Sequence, residues 1–111
     1  MSLSTHILDT ALGKPAADIE ILLSKSRGGL WKALGRGKTD ADGRCKTLLL
    51  EEALEATTYR LTFYTRPYFI AQNITPLHPL IDITFEVTDP TQHHHIPLLL
   101  TANGYTTYRG S

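Results

Sequence analysis

The 111-residue sequence predicts an all-β fold, an antiparallel β-sandwich, from two observations. The first is a hydrophobic period of two in several segments, which is typical of strands with one face in a core and the other in water. The second is the short spacing of turn signals between these segments, as in sandwich proteins. The turn signals are GK at 13–14, SRGG at 26–29, DADG at 40–43, DP at 89–90 and ANG at 102–104.

Three segments carry the alternation most clearly. Each has apolar residues at every second position and mainly polar residues between them, so each is predicted to be a strand that buries one face. The core-facing residues are Ile19, Ile21 and Leu23 in 18–23, Tyr59, Leu61 and Phe63 in 58–64, and Ile81, Ile83, Phe85 and Val87 in 81–87.

Two stretches have helical character. The segment 66–73, "RPYFIAQN", has a proline in its first turn, which a short helix tolerates. The segment 47–56, "TLLLEEALEA", is rich in good helix formers. We predict one short helix at 66–73, and for 47–56 either a single helical turn or an extended connection.

The strand predicted in "HIPLLLTA" at 95–102 breaks the alternation. Ile96, Leu98 and Leu100 form one apolar face, but Pro97 and Leu99 make the other face apolar as well. An antiparallel strand that faces water has one polar face. A second subunit is therefore expected to cover the outer face, with an edge flap of the same chain as the alternative.

Charge restricts the class of partner. Lysine plus arginine and aspartate plus glutamate both number 11, so the formal net charge is zero. Binders of nucleic acid or of membrane surfaces need a basic excess, and we expect neither partner. A small-molecule site or a protein partner is left, and a low net charge fits self-association.

The cysteine count and the N-terminus indicate a compartment. Cys45 is the only cysteine, so no intrachain disulfide can form, unlike in small secreted scaffolds. "MSLSTHILDT" lacks a basic region, and Asp9 interrupts the apolar stretch that a signal peptide needs. We expect a single domain over 1–111 in a bacterial cytoplasm; a peroxisome is less favoured because the chain ends in RGS and not SKL.

Three local features suggest functional sites but are better explained as ordinary structure. "GRGKT" at 35–39 lacks the first glycine of a phosphate loop, and a glycine-rich turn is preferred. "DADG" at 40–43 lacks the calcium-loop ligands at both ends, and a turn with Gly43 in a left-handed conformation is preferred. Cys45 is read as a small buried residue in preference to a nucleophile.

The histidine run at 93–95 raises the question of a metal. On a strand, His93 and His95 share a face and His94 points away. Two ligands are too few for a structural zinc site, which takes four, although His6 or His78 could complete one in space. A solvated loop end is the preferred interpretation for His93 and His94, and no metal or cofactor is expected.

Four segments together resemble one family, the transthyretin-like 5-hydroxyisourate hydrolases. They are "STHILDTALGKPA", "TDADGRC", "TTYRLTFYTRPYF" and "HIPLLLTANGYTTYRGS", and the resemblance runs along the whole chain. The closing "YRGS" is the family's signature and follows the "H-[IV]-P-L-L" run. The resemblance implies a sandwich of two four-stranded sheets with one short helix, assembled as a homotetramer, a dimer of dimers, with its active sites in a channel between dimers.

The resemblance also implies the reaction and its residues. Water hydrolyses 5-hydroxyisourate, the unstable product of urate oxidation, at a cyclic amide C–N bond, giving 2-oxo-4-hydroxy-4-carboxy-5-ureidoimidazoline on the way to allantoin. The catalytic residues carried over are His6, Arg44, His95 and Ser111. The substrate-binding residues carried over are His6, Arg44, Tyr108, Arg109 and Gly110. His94 stands where the family commonly has an aromatic residue, so the choice of His95 within 93–95 depends on its position before "IPLLL".

The residue types suit this chemistry. Histidine is a base whose pKa lies near working pH, and a guanidinium stabilises charge that develops on a carbonyl oxygen. We expect His6 and His95 to share the base and acid roles in an order left open, and Arg44 to hold the substrate. The Ser111 hydroxyl could orient a proton, and its carboxylate could hold a histidine in one tautomer. The alternative function is a non-catalytic carrier of the thyroid-hormone type, which would share the fold but need no such constellation.

Overall fold

The computed structural model describes residues 3–48 and 53–110. Within them it contains eight strands and one helix. In chain order these are β1 (Leu3–Asp9), β2 (Lys14–Pro15), β3 (Glu20–Arg27), β4 (Leu30–Lys38), β5 (Thr58–Tyr64), α1 (Arg66–Ile70), β6 (Ile81–Glu86), β7 (His94–Leu100) and β8 (Tyr105–Thr107).

The strands form two four-stranded sheets. One sheet has the order β2-β1-β7-β8 and the other β4-β3-β5-β6. The alternating residues of β1, β3, β5, β6 and β7 meet between the sheets in one apolar core. The predicted sandwich of two four-stranded sheets with a short helix is confirmed in the described residues.

One strand pair departs from the antiparallel prediction. β1 and β7 run parallel, from Leu3 opposite His94 to Asp9 opposite Leu100, whereas the other strand pairs are antiparallel. Parallel neighbours need a long crossover connection. Here the chain between β1 and β7 includes all four strands of the other sheet. Short-range sequence patterns do not reveal a pairing over such a distance in the sequence.

The three alternating segments form strands, as predicted. β5 has the predicted bounds, β6 ends one residue early, and β3 begins two residues later than predicted and extends to Arg27. The predicted core faces are buried, except that Phe85 is only partly buried against the core. Alternation identified these strands because in each of them one face supplies apolar side chains to the core.

The helix prediction is confirmed at 66–70, and the remaining 71–73 form a turn. Asn73 has a φ of 60°, a left-handed conformation typical of helix ends. In the other candidate, 47–56, the described residues 47–48 and 53–56 are not helical, and 49–52 lie outside the described residues. Good helix formers therefore did not produce a helix at either end of that segment.

Asp9 anchors the end of β1 to the helix. Its carboxylate accepts hydrogen bonds from the backbone of Ala11 and Leu12, each at 3.0 Å, and from the Tyr68 hydroxyl at 2.7 Å. Burial, followed by the bond to Asp9, raises the pKa of Tyr68 to about 12. This contact fixes α1 against the sheet that contains β1.

The prediction of a glycine-rich turn at 35–39 is wrong. Residues 35–38 belong to β4 and pair with β3. A Cβ at Gly35 would collide with the carbonyl of Leu48, and one at Gly37 would crowd Cys45 Sγ. These glycines allow the chain at 45–48 to pass close to the strand. Cys45 itself is buried, as predicted.

No helix within residues 3–48 and 53–110 combines the length and the apolar character that crossing a membrane requires.

Candidate active site

The alternation of β1 decides which of its side chains reach the outer face of the sandwich. Leu3, Thr5 and Ile7 are buried between the two sheets. Ser4 and His6 are half-buried and lie on the opposite face. The predicted site residue His6 therefore faces outward because its neighbours are required for the core.

β7 presents its own site residue on the same outer face. His94 is buried on the core side, and His95 is half-buried on the outer side. The parallel register sets Ser4 opposite His95 and His6 opposite Pro97. The two predicted site histidines thus lie on neighbouring strands, two register positions apart.

A turn held by Asp40 precedes Arg44. The Asp40 carboxylate accepts hydrogen bonds from the backbone of Asp42 at 2.9 Å and of Arg44 at 3.0 Å, and its own backbone N–H donates to the Arg44 carbonyl at 2.8 Å. The bond from the Arg44 backbone is the largest cause that lowers the pKa of Asp40. This local bonding is the usual use of aspartate in turns.

The turn brings Arg44 beside His6. The Ile7 backbone N–H donates to the Gly43 carbonyl at 2.8 Å, and His6 and Arg44 form an isolated antiparallel bridge. Gly43 has a φ of 76°, as predicted for a left-handed position. A Cβ there would also collide with the Ile7 carbonyl oxygen. Glycine is required at this position on both counts.

The ring of His6 is held by the same turn. Its Nε2 lies 2.8 Å from the carbonyl oxygen of Asp42. Because a carbonyl oxygen only accepts, Nε2 carries the proton and donates. In the neutral ring the lone pair is then on Nδ1. His6 is therefore oriented to accept a proton at one defined atom.

The ring of His95 is held by β1. Its Nδ1 lies 2.7 Å from the Ser4 hydroxyl oxygen. The pKa of His95 lies below its ordinary value of 6.5, first because burial penalises the charged ring, and next because of the positive charges of Arg44 and His6. A lowered pKa keeps this imidazole neutral, and able to accept a proton, at neutral pH.

Gly110 lies directly against His95. The two residues form an isolated antiparallel bridge, and the Gly110 N–H donates to the His95 carbonyl at 2.9 Å. A Cβ at Gly110 would collide with Cδ2 of the His95 ring and lie 3.1 Å from its Cγ. Because residue 110 has no side chain, the His95 ring can occupy this space.

The other residues of the closing tetrapeptide are placed differently. Arg109 donates from Nη2 to the side-chain oxygen of Gln92 at 3.1 Å. Tyr108 is exposed, and with Arg109 it lines a cavity of about 250 Å³ between the edges of the two sheets, next to His94. Ser111 lies outside the described residues. The structure thus brings together His6, Arg44, His95 and Gly110. Tyr108 and Arg109 lie instead at the edge of the sandwich.

The histidine run does not behave as a single loop end. His93 and His95 share a face, as predicted, because both rings contact the Ser4 hydroxyl. The prediction of a solvated position is wrong for His94, whose side chain is 3% exposed because β7 already begins there. Within the part of the chain that the structure describes, no group of three His, Cys, Asp or Glu side chains is placed to hold a metal ion.

Three residues of this region were not predicted from the sequence: Ser4, Asp40 and Asp42. Each acts by holding a site residue, through a hydroxyl on His95, a carboxylate on the Arg44 backbone and a carbonyl on His6. The aspartate four residues before Arg44 was a detectable signal, since aspartate commonly bonds the backbone of its own turn. Ser4 and the Asp42 carbonyl depend on the parallel pairing of β1 and on the position of the turn beside it.

The arrangement can carry acid–base chemistry on an anionic or oxygen-rich ligand. Two imidazoles on neighbouring strands can accept or donate protons, since each is held through one ring nitrogen. The exposed guanidinium of Arg44 can stabilise negative charge on oxygen. A hydrolytic reaction at a carbonyl can use both kinds of group.

The sequence matches a known protein family. Residues 3–110 match the HIUase/Transthyretin family. A 5-hydroxyisourate hydrolase of Salmonella dublin is 42% identical over 109 residues, covering 98% of this chain and 80% of that relative.

Solved structures of differently named proteins share the fold. The structure of Klebsiella pneumoniae 5-hydroxyisourate hydrolase is 36% identical with a TM-score of 0.85, covering 100% of both chains. Sea bream transthyretin in complex with thyroxine is 32% identical with a TM-score of 0.92, covering 99% of this chain and 95% of the other. Backbone similarity therefore does not separate a hydrolase from a protein that binds thyroxine, and the side chains of the site must do so.

Proposed function

Because the chain belongs to the HIUase/Transthyretin family, we propose that it hydrolyses 5-hydroxyisourate in urate degradation. The observation that carries the proposal is the grouping of His6, Arg44 and His95 on the outer face of β1 and β7. A carrier does not need two oriented bases beside a guanidinium. The Salmonella dublin relative, a 5-hydroxyisourate hydrolase by name, supports the same function.

In the proposed reaction, water attacks a carbonyl carbon of the ring and the adjacent cyclic amide C–N bond opens. A neutral histidine takes a proton from the water as its oxygen bonds to carbon. The second histidine returns a proton to the departing nitrogen. Arg44 stabilises the negative charge on the carbonyl oxygen between these events. The product is 2-oxo-4-hydroxy-4-carboxy-5-ureidoimidazoline.

The closing tetrapeptide has a supporting part in this proposal. Gly110 gives the His95 ring its space, and Ser111 stays a predicted catalytic residue that orients a proton. Tyr108 and Arg109 stay predicted substrate-binding residues. In the single chain both line the sandwich-edge cavity, so their contribution is proposed for the assembled protein. We propose a homotetramer, a dimer of dimers, in which the outer face of the β1–β7 pair borders a channel.

A bacterial cytoplasm is the compartment that we propose from the sequence. Cell fractionation of the source organism with an antibody against the chain is the check. Recovery in the membrane or extracellular fraction would contradict this part of the proposal.

The two functions that the fold allows are separated by one pair of assays. 5-Hydroxyisourate is made freshly by oxidation of urate, and its absorbance is followed with and without the protein. We expect the protein to speed the loss of substrate well beyond its spontaneous decay, and thyroxine to show no saturable binding. Tight thyroxine binding with no effect on the decay would support the carrier and overturn the hydrolase.

A further inference from the structure

A single hydroxyl connects His95 to a second imidazole outside the predicted site. Ser4 Oγ lies 2.7 Å from Nδ1 of His95 and 2.8 Å from Nε2 of His93. The parallel register explains the first contact, because Ser4 lies opposite His95 across the β1–β7 pair. His93 precedes β7 by one residue, and its ring reaches the same oxygen from the exposed side.

The proton count of this arrangement restricts the tautomers. A serine hydroxyl has one proton, so it can donate to only one of the two rings. For both contacts to be hydrogen bonds, the other ring must donate to the Ser4 oxygen. Three arrangements satisfy this condition: His95 donates from Nδ1 and Ser4 donates to His93, His93 donates from Nε2 and Ser4 donates to His95, or both rings donate to the two lone pairs of the Ser4 oxygen. The protonation of the two imidazoles is therefore coupled through Ser4.

The contact of Ser4 with one ring nitrogen restricts the arrangements that suit a base. Ser4 Oγ contacts Nδ1 of His95, so Nε2 is the ring nitrogen left to take a proton from water. In a neutral imidazole one nitrogen carries the proton and the other accepts. A base at Nε2 therefore requires the proton on Nδ1, donated to Ser4, and excludes the arrangement in which Ser4 donates to His95.

We propose that Ser4, supported by His93, is the positioning residue that keeps the proton of His95 on Nδ1 and so leaves the base lone pair on Nε2. This inference rests on the proposed function, because it assigns His95 as the base of that reaction. His6, whose lone pair is on Nδ1, then supplies the acid role once it is protonated. A third group that fixes the tautomer of a catalytic histidine is the logic of the catalytic triad.

The position of Nε2 agrees with this role. Cδ2 of the His95 ring, the atom bonded to Nε2, is the atom that a side chain at 110 would strike. The Ser4 contact is thus at Nδ1 and the Gly110 contact is at the Cγ–Cδ2 side of the ring. These two contacts hold the ring without using Nε2, which agrees with a lone pair on that nitrogen.

Ser4→Ala and Ser4→Thr test the proposal in the full-length protein. ¹⁵N-labelled histidine and long-range proton–nitrogen NMR report the tautomer of His95 without any substrate. We expect Nδ1–H in the wild type and a shift toward Nε2–H in Ser4→Ala. The value of kcat for 5-hydroxyisourate should fall by about tenfold with little change in KM, since one hydrogen bond is lost. Ser4→Thr keeps the hydroxyl and should restore both readouts.

Ser26→Ala is the matched control, because Ser26 is also a half-buried strand serine but lies in β3 of the other sheet. It should leave the tautomer and kcat unchanged. His93→Ala and His93→Gln form a second test at an exposed position, which keeps the inference falsifiable if Ser4→Ala does not fold. His93→Ala should lower kcat, and His93→Gln, whose amide oxygen can accept from Ser4, should restore it.

An Nε2–H tautomer of His95 in the wild type would overturn the inference, as would a normal kcat and tautomer in Ser4→Ala. A wild-type protein that does not accelerate the decay of 5-hydroxyisourate would instead overturn the proposed function. The NMR result is independent of turnover, so the two failures are distinguishable.

Discussion

The ring of His95 is confined on two sides, by the Ser4 hydroxyl and by the α-carbon of Gly110. The first contact fixes how the ring is protonated, and the second fixes where it lies. Of these two, only Gly110 was predicted from the sequence, and it was predicted as a substrate-binding residue. The structure adds the steric reason for a glycine there.

Gly110→Ala should therefore displace the His95 ring. A methyl group at 110 would occupy the place of Cδ2, so the ring must rotate or the terminal segment must move. Since a displacement of about 1 Å can cost about 100-fold in rate, we expect kcat/KM to fall by roughly that factor while the melting temperature changes little. Steady-state kinetics and thermal unfolding measure the two effects.

Gly104→Ala is the control for this substitution, because nothing lies within 4 Å of a Cβ at that position. It should retain nearly full activity. If Gly110→Ala were as active as Gly104→Ala, the close approach of His95 and Gly110 would not matter for catalysis.

The lowered pKa of His95 leads us to predict how kcat/KM depends on pH. Burial, and then the charges of Arg44 and His6, disfavour the protonated ring, so on raising the pH the ring becomes neutral before an ordinary histidine would. The acid limb of kcat/KM, which reports this base in the free enzyme, should lie below pH 6.5. Arg44→Gln removes one of the charges and should raise the pKa of His95, measured by NMR titration. A limb above pH 6.5 in the wild type would contradict this account.

At the scale of elements, the turn over 40–44 carries Arg44 to β1. Its geometry depends on the Asp40 carboxylate and on Gly43, which has a positive φ and lies close to the Ile7 carbonyl. The sequence predicted the turn and the left-handed glycine, because aspartate and glycine have these preferences in any turn. It did not predict that Gly43 also touches β1.

Gly43→Ala should be more damaging than an ordinary substitution of a turn glycine. The left-handed conformation costs roughly 1–2 kcal/mol for alanine. The collision with Ile7 adds about 1–3 kcal/mol of overpacking. Urea unfolding should show the sum, and kcat/KM should fall because Arg44 moves with the turn.

Gly28→Ala separates the two contributions. Gly28 also has a positive φ, 57°, but a Cβ there meets nothing within 4 Å. It should show the conformational cost alone and keep its activity. Equal destabilisation of the two variants would show that the contact between Gly43 and β1 adds nothing.

The elements were predictable where burial imposes a period of two, as in β5, with Tyr59, Leu61 and Phe63 inside. They were not predictable where the strand is mostly exposed. β4 has no buried residue, and its glycines at 35 and 37 suggested a turn, although their purpose is to admit the chain at 45–48. The parallel pairing of β1 and β7 joins segments that are far apart in the sequence, so local patterns could not predict it. The contacts of Ser4 depend on this pairing and could not be predicted either.

At the scale of the whole molecule, the apolar outer face of β7 is the feature from which we predicted an oligomer. Pro97 is buried and Leu99 half-buried within the single chain, so part of the cover expected from a second subunit is already supplied by the chain itself. The tetramer stays a prediction. Light scattering coupled to size exclusion should give four chains per particle, and Leu99→Glu, a charge on the half-buried outer position, should reduce that number. A wild-type monomer with full activity would contradict the assembly that we propose.

The most direct test of the central claim compares the rates of 5-hydroxyisourate loss for the wild type and for His6→Ala, His95→Ala and Arg44→Ala. General acid–base groups and oxyanion donors typically contribute about 100-fold or more, so each variant should lose at least that factor. His78→Ala and Arg36→Ala, which alter the same residue types away from the site, should stay close to the wild type. Large losses in the first three variants alone are the result that the account predicts, and near-normal rates in all three would contradict it.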